Sequence, residues 1–207
     1  MQRVVRHSTH AFPFLPALFF GLLLTADLSR SAEVFVHRPT GVALPAEVVG
    51  FARGEVMDYE KDSPGQGSGV AYRKPGAYSA TLYIYTSELQ PFPTSVEDLR
   101  IAEIRRLGVE LVVERAKTRE PTVMSANSRH TGSGTANISG TPVLIDNFIV
   151  YLSGVATNDA MCIWLAKGHI WKLRVTREAD VSETWVAFLR ELVALSIAPA
   201  SAPSIQT

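Results

Sequence analysis

Three apolar runs, Val143 to Ser153, Met161 to Ala166 and Ile170 to Thr176, are joined by connections too short for a crossover helix. Parallel neighbours need a dozen or more residues between them. Gly154 to Asp159 and Lys167-Gly168-His169 offer hairpin turns instead, so the runs predict an antiparallel meander. The first two are apolar at both alternating positions, as central strands covered on both faces are. The third alternates, with Trp171, Leu173 and Val175 inward and Lys172 and Arg174 outward.

Upstream, Glu33 to Arg38 and Glu55 to Glu60 read as short strands. Lys74-Pro75-Gly76-Ala77 is a turn between the runs Val70 to Arg73 and Tyr78 to Thr86, because Pro fixes φ and Gly supplies a positive φ. In the second run Leu82 and Ile84 share one face and Tyr83 and Tyr85 the other. A helix is expected from Val96 to about Lys117, opened by Thr94 with Glu97 or Ser95 with Asp98 as a capping box. Two apolar stripes run along it. Ala102, Val109, Val112, Val113 and Ala116 form one; Val96, Leu99, Ile104, Leu107 and Leu111 form the other. Two stripes imply burial on more than one side, or a partner on the second. Arg106 and Glu110 are spaced to pair along the helix. Thr122 to Ser128 is a strand candidate, and Arg129 to Thr141, rich in Ser, Thr, Gly and Asn, reads as a loop or ragged edge. A last helix, capped by Asp180 or Ser182, carries the stripe Trp185, Phe188, Leu189, Leu192 and Leu195, with Arg190 and Glu191 facing away. The order predicts an α+β fold: an antiparallel sheet of about six strands packed by two helices.

The N-terminal segment reads as a secretory signal. Arg3 and Arg6 precede an apolar stretch from Ala11 to Leu24, and small residues follow up to Ala32. Pro13, Pro16 and the short run argue against a membrane anchor. Ser29 and Ser31 place the expected cut after Ser31, and no Cys nearby offers a lipid anchor. The expected layout is therefore a signal peptide at 1–31, one α+β domain at 32–197 and a disordered Ala/Pro/Ser tail at 198–207. The localisation that follows is periplasmic or secreted, with no later membrane span.

Removing Arg3, Arg6, Arg30 and Asp27 from twenty basic and twenty acidic residues leaves 17 and 19, a formal charge of −2. So balanced a chain has no field to draw nucleic acid or an anionic membrane. Cys162 is the single cysteine. It excludes an internal disulfide, and its apolar neighbours read as a buried thiol rather than a nucleophile.

No motif carries chemistry. Gly65-Gln66-Gly67-Ser68-Gly69 is followed by a strand without the Lys-Ser/Thr end of a phosphate loop, so it reads as a mobile hairpin loop. Asp58-Tyr59-Glu60-Lys61-Asp62 alternates acids like a calcium loop, yet lacks its Gly and its final Glu. His37, His130 and His169 are not spaced as metal ligands. No cofactor or metal is expected. Tyr72, Tyr78, Tyr83 and Tyr85 cluster on one hairpin. Tyr83 and Tyr85 are the candidate interface: outward they make an adhesive patch, and the competing reading covers them with a helix.

The segments from Leu44-Pro45 to Tyr59, Val70-Ala71-Tyr72-Arg73, Ala80-Thr81-Leu82-Tyr83-Ile84-Tyr85 and Trp171-Lys172-Leu173-Arg174-Val175-Thr176 resemble exported bacterial proteins of no assigned function. The order of elements is similar to the PsbP-like family. That resemblance implies a sandwich of helices around an antiparallel sheet. It carries over no functional residue and implies no photosynthetic role. The functional expectation is a non-enzymatic exported module that binds a protein or small ligand. The alternative is an exported hydrolase with a loop-assembled site that includes His130 and His169.

Overall fold

The computed structural model describes residues 34–76, 78–118, 127–152, 155–177 and 182–199. The expected signal at 1–31, most of the expected tail, the Asp180 cap and most of the strand candidate at 122–128 lie outside them. The elements in chain order are β1 (Phe35–His37), β2 (Val42–Leu44), β3 (Glu47–Val48), β4 (Phe51–Asp58), β5 (Ser68–Lys74), β6 (Tyr78–Tyr85), α1 (Leu99–Thr118), β7 (Asn127–Ile138), β8 (Thr141–Leu152), β9 (Val155–Ala166), β10 (His169–Arg177) and α2 (Ser182–Ile197).

Eight strands form one antiparallel sheet in the order β3-β4-β5-β6-β10-β9-β8-β7, and β1 with β2 makes a separate ribbon. The α+β class with two helices stands, but the sheet is wider than the six strands expected. The main addition is β7. The polar stretch 129–138, expected to be loop, is the outer part of a twelve-residue strand paired along β8. It sits at the sheet edge, where backbone hydrogen bonds to β8 suffice and side chains need not be apolar. Ser139 and Gly140, at φ 52° and 83°, make the two-residue turn into β8. Both-positive φ is the hairpin geometry that matches strand twist. The expected turn at 154–159 is shorter too, because β9 begins at Val155.

Period-two alternation sorts the sheet into two faces. Tyr72, Leu82, Trp164, Trp171 and Leu173 meet Phe188, Leu189, Leu192 and Val193 of α2 in one core. Phe188 stacks on Phe51 with centroids 4.0 Å apart. The Trp164 indole donates to Ser196 Oγ at 2.9 Å, which fixes α2 against β9. The second core, on the opposite face, joins Tyr85, Phe148, Met161, Ile163 and Ile170 to Ile101 and Val112 of α1. Cys162 is buried in the α2-side core.

The α1 helix lies over β7 and β8 and leaves the β5-β6-β10 part of that face less covered. It starts later than expected: Asp98 Oδ1 accepts from Arg100 N at 2.8 Å, so Asp98 caps it. Its buried positions are Ile101, Gly108 and Val112, while Ala102 is exposed. Of the expected Ala102 stripe, Val112 is buried and Val109 packs against the core, while Ala102 itself faces outward. Arg106 does pair with Glu110, and also with Glu103 at 2.6 Å.

Candidate functional site

The uneven cover on the α1 face leaves a groove of about 590 Å³. Its floor is Tyr83 and Tyr85 from β6, Met161 from β9, and Lys172 and Arg174 from β10. One wall is α1, through Ile104, Leu107, Gly108, Leu111 and Val112; the other is the segment after β4, through Tyr59, Asp62, Ser63 and Gln66.

Three glycines set its shape. At Gly108 an added Cβ would lie 2.8 Å from Met161 Sδ, so the bare backbone lets α1 close onto the floor. At Gly69 a Cβ would lie 2.9 Å from Tyr59 Cε2, and its absence gives Tyr59 room to reach Tyr83. Those two rings stack with centroids 6.5 Å apart. Gly67 has φ 61°, and a Cβ there would sit 1.9 Å from the Ile84 carbonyl oxygen. The loop expected to be mobile is instead held down. Gly67 O accepts from Tyr59 N and Glu60 N at 2.9 and 3.1 Å, and Gly65 O accepts from Ser87 N at 2.9 Å. The Glu60 carboxylate accepts from Gly65 N and Gly67 N at 2.9 and 2.8 Å. Those bonds pull the Glu60 carboxyl below its ordinary value. This acid clamps its own loop, which is a structural use for a residue of the calcium-like run.

Strand pairing concentrates aromatic and cationic groups in the floor. Lys172 stands opposite Tyr83 in the β10–β6 register. Its Nζ lies 4.8 Å from the Tyr83 ring centre and 5.3 Å from that of Tyr85, within cation–π range. Tyr83 is half-buried and Tyr85 buried; burial pushes the Tyr85 phenol above its ordinary value. Arg174 donates through Nη2 to the buried Asp159 carboxylate at 3.2 Å, while its Nε is buried with no hydrogen-bond partner. Along the α1 rim, Leu107 and Leu111 are 45% and 54% exposed. They belong to the second stripe of the helix, and here that stripe forms the lip of a groove.

A second cluster joins α1 to the sheet edge. A bulge between His130 and Gly132 brings His130 and Ser133 to one face of β7. Asp146, with its side chain 2% exposed, receives Arg105 Nε at 2.7 Å and Arg105 Nη2 at 2.9 Å. Burial alone would raise the Asp146 carboxyl; the Arg105 and His130 hydrogen bonds outweigh it and hold the group below its usual range. His130 Nε2 lies 2.9 Å from Asp146 Oδ1 and 3.3 Å from Ser133 Oγ. A nucleophile relay needs the acid on one ring nitrogen and the hydroxyl on the other. Here both face Nε2, so the arrangement is a clamp on α1 rather than a triad. His130 and Ser133 are also absent from the groove lining.

His169 is not with His130. Its Nδ1 is 2.8 Å from Lys167 O in the β9–β10 turn. Its ring packs edge-on against His37 at 5.7 Å. Burial, aided by His169, lowers the His37 imidazole to about 4. Among the described residues no group of three or more His, Cys, Asp or Glu is placed to hold a metal, and no helix is long and apolar enough to cross a membrane.

Neither a family model nor a curated protein matches this sequence. Among solved structures the chain is similar to cyanobacterial PsbP (CyanoP) from Synechocystis sp. PCC 6803. The identity is 14%, the TM-score 0.47, and the match covers 84% of this chain and 96% of that one. It is also similar to PA94 of Pseudomonas aeruginosa, a protein of unknown function, at 14% identity and TM-score 0.34, over 78% of this chain and 92% of that one. LpqN of Mycobacterium tuberculosis, described as involved in cell envelope biogenesis, is 11% identical with TM-score 0.28, over 69% of this chain and 74% of that one.

Of the residues singled out in the sequence, Tyr83 and Tyr85 are brought into the groove. Alternation along β10 marks Lys172 and Arg174 only as an outward face. Their alternation was visible, but the pairing of β10 with β6 that sets them beside the tyrosines was not. Gly108 gave no signal of its own.

Proposed function

We propose that this protein is an exported, non-enzymatic binding module whose groove takes a small amphipathic molecule. One observation carries the proposal: a concave site with an aromatic floor, a cation between two of its rings, and an exposed apolar lip on α1. About 590 Å³ falls within the range of small-molecule sites. A floor recessed between a helix and a pinned loop suits a small ligand better than a flat protein partner. Export rests on the leader, with cleavage after Ser31 releasing one domain at 32–197 and a tail at 198–207. Tyr83 and Tyr85 then act as ligand contacts rather than as an open adhesive patch.

The test uses the neutral fluorophore N-phenyl-1-naphthylamine. Fluorescence should rise on binding to the purified protein. The double substitution Leu107→Gln and Leu111→Gln should weaken binding several-fold. Both positions are half-exposed, so melting should shift little. Absence of enhancement, or enhancement indifferent to the double substitution, would remove the groove as the site.

A further inference from the structure

Resting on that reading of the groove, we infer that its ligand is an uncharged carbonyl compound, a ketone, amide or ester on an apolar body, and that Arg174 holds the carbonyl oxygen. A guanidinium carries five N–H donors in a planar fork. The hydrogen bond from Arg174 Nη2 to Asp159 Oδ2, at 3.2 Å, uses one of them. Nε is buried and has no hydrogen-bond partner among the described residues. Buried donors are almost always paired in folded proteins, and one left without an acceptor is costly. Arg174 stands opposite Met161 in the β10–β9 register, and both line the groove. Its side chain is 23% exposed, so an occupant of the groove meets it.

The acceptor has no need of a charge. Asp159 is buried against the guanidinium and balances it. It is fixed there by Thr176 Oγ1 at 3.1 Å and, weakly, by Thr157 Oγ1 at 3.4 Å. The other charged residues of the lining, Asp62 and Lys172, are one of each sign. The site as a whole is therefore formally balanced. A carboxylate brought to Arg174 would sit beside Asp159, and like charges that share one partly buried site oppose each other's ionisation. A carbonyl oxygen accepts from the same N–H groups without that repulsion. The apolar body follows from what surrounds Arg174. Met161 and Tyr85 lie in the floor, and Leu107 and Leu111 form the lip of α1. A thioether adapts to irregular apolar shapes, and a buried tyrosine ring offers a flat one. Oxygen at Arg174 and body between the floor and the α1 lip define one pose.

The experiment compares three fluorophores on the same protein. The neutral ketone 6-propionyl-2-dimethylaminonaphthalene carries the carbonyl. N-phenyl-1-naphthylamine lacks it, and 6-dimethylamino-2-naphthoate puts a carboxylate in its place. Arg174→Met should weaken the ketone about tenfold and the naphthylamine less than about threefold, the difference expected for one hydrogen bond from a charged donor. The emission of the bound ketone should move to shorter wavelength in the variant, because its carbonyl loses a donor. The naphthoate should bind the parent protein roughly fivefold or more weakly than the ketone, since Asp159 opposes a second carboxylate. Equal losses for ketone and naphthylamine, an unmoved ketone emission, or a naphthoate that binds as tightly as the ketone would overturn the assignment while leaving the groove standing. Failure of both neutral probes to bind would instead remove the groove. Arg174→Met strands the Asp159 carboxylate, so the double substitution Arg174→Met with Asp159→Asn replaces it should the single variant fail to fold. The same selective loss of the ketone is expected there, and equal losses overturn the inference. The naphthoate comparison needs no variant and decides on the parent alone.

Discussion

Replacing Arg105 by Met removes the guanidinium that ties α1 to the sheet, and its cost can be worked from the geometry. Arg105 makes two charge-assisted hydrogen bonds to Asp146, at 2.7 and 2.9 Å. Breaking a fully buried pair from one side costs about 3–5 kcal/mol, because the other charge is stranded. Two features reduce that figure here. Arg105 is 25% exposed, and His130 still contacts Asp146 in the variant. A loss of about 2–3 kcal/mol remains, or a fall in Tm of roughly 4–12 °C for a domain of this size. Urea denaturation at pH 7 measures it, and the double-mutant cycle with Asp146→Asn isolates the pair. The sign against pH follows from linkage. The Asp146 carboxyl is held below its ordinary value in the folded parent. Its stabilisation is present above the unfolded pKa of about 4 and fades as pH falls through the lower folded value. Arg105→Met lets the carboxyl rise, so the gap between variant and parent should narrow in acid. A cost under about 0.5 kcal/mol with no coupling to Asp146, or a gap that widens in acid, would refute the clamp.

Gly67→Ala should cost more than about 2 kcal/mol in urea denaturation, because the new Cβ meets the β6 backbone. Gly76→Ala, also at positive φ but with open space around it, should cost only about 1 kcal/mol. Equal costs would show that the loop is not pinned at Gly67. Burial pushes the Tyr72 phenol up to about 12 and Tyr85 higher still. Absorbance titration should therefore leave both protonated at pH 11. Their raised folded values stabilise the fold below the unfolded pKa of about 10, and that contribution declines as pH rises through the folded values. Titration of every tyrosine near pH 10 without unfolding would contradict their burial. Expression with export should yield a chain lacking residues 1–31 by intact mass, and retention of the leader would contradict the signal reading.

What was legible followed alternation and amphipathicity. Leu82 and Ile84 against Tyr83 and Tyr85, and Trp171, Leu173 and Val175 against Lys172 and Arg174, separate onto the two faces as their spacing requires. The α2 stripe was equally plain, because Phe188, Leu189 and Leu192 are all large and apolar. The buried side of α1 was legible only in part, through Val109 and Val112. Gly108 faces Met161 with no side chain, and Arg105 reaches the buried Asp146 as a charge. Hydrophobic periodicity scores neither as interior, and it counts the exposed Ala102 in their place. Edge strand β7 was hidden for a related reason: its order comes from hydrogen bonds to β8, to which polar Ser, Thr and Gly contribute as well as Val would. The groove needed one more layer, since the strand order β6-β10 joins residues almost ninety positions apart.

The most direct measurement of the central claim is an amide and methyl chemical-shift map of the protein titrated with N-phenyl-1-naphthylamine. Saturable shifts confined to Tyr59, Tyr83, Leu107, Leu111, Met161 and Lys172, with α2 silent, are the predicted result. Shifts centred on the α2 face, or scattered without saturation, would contradict the groove as the functional site of this fold.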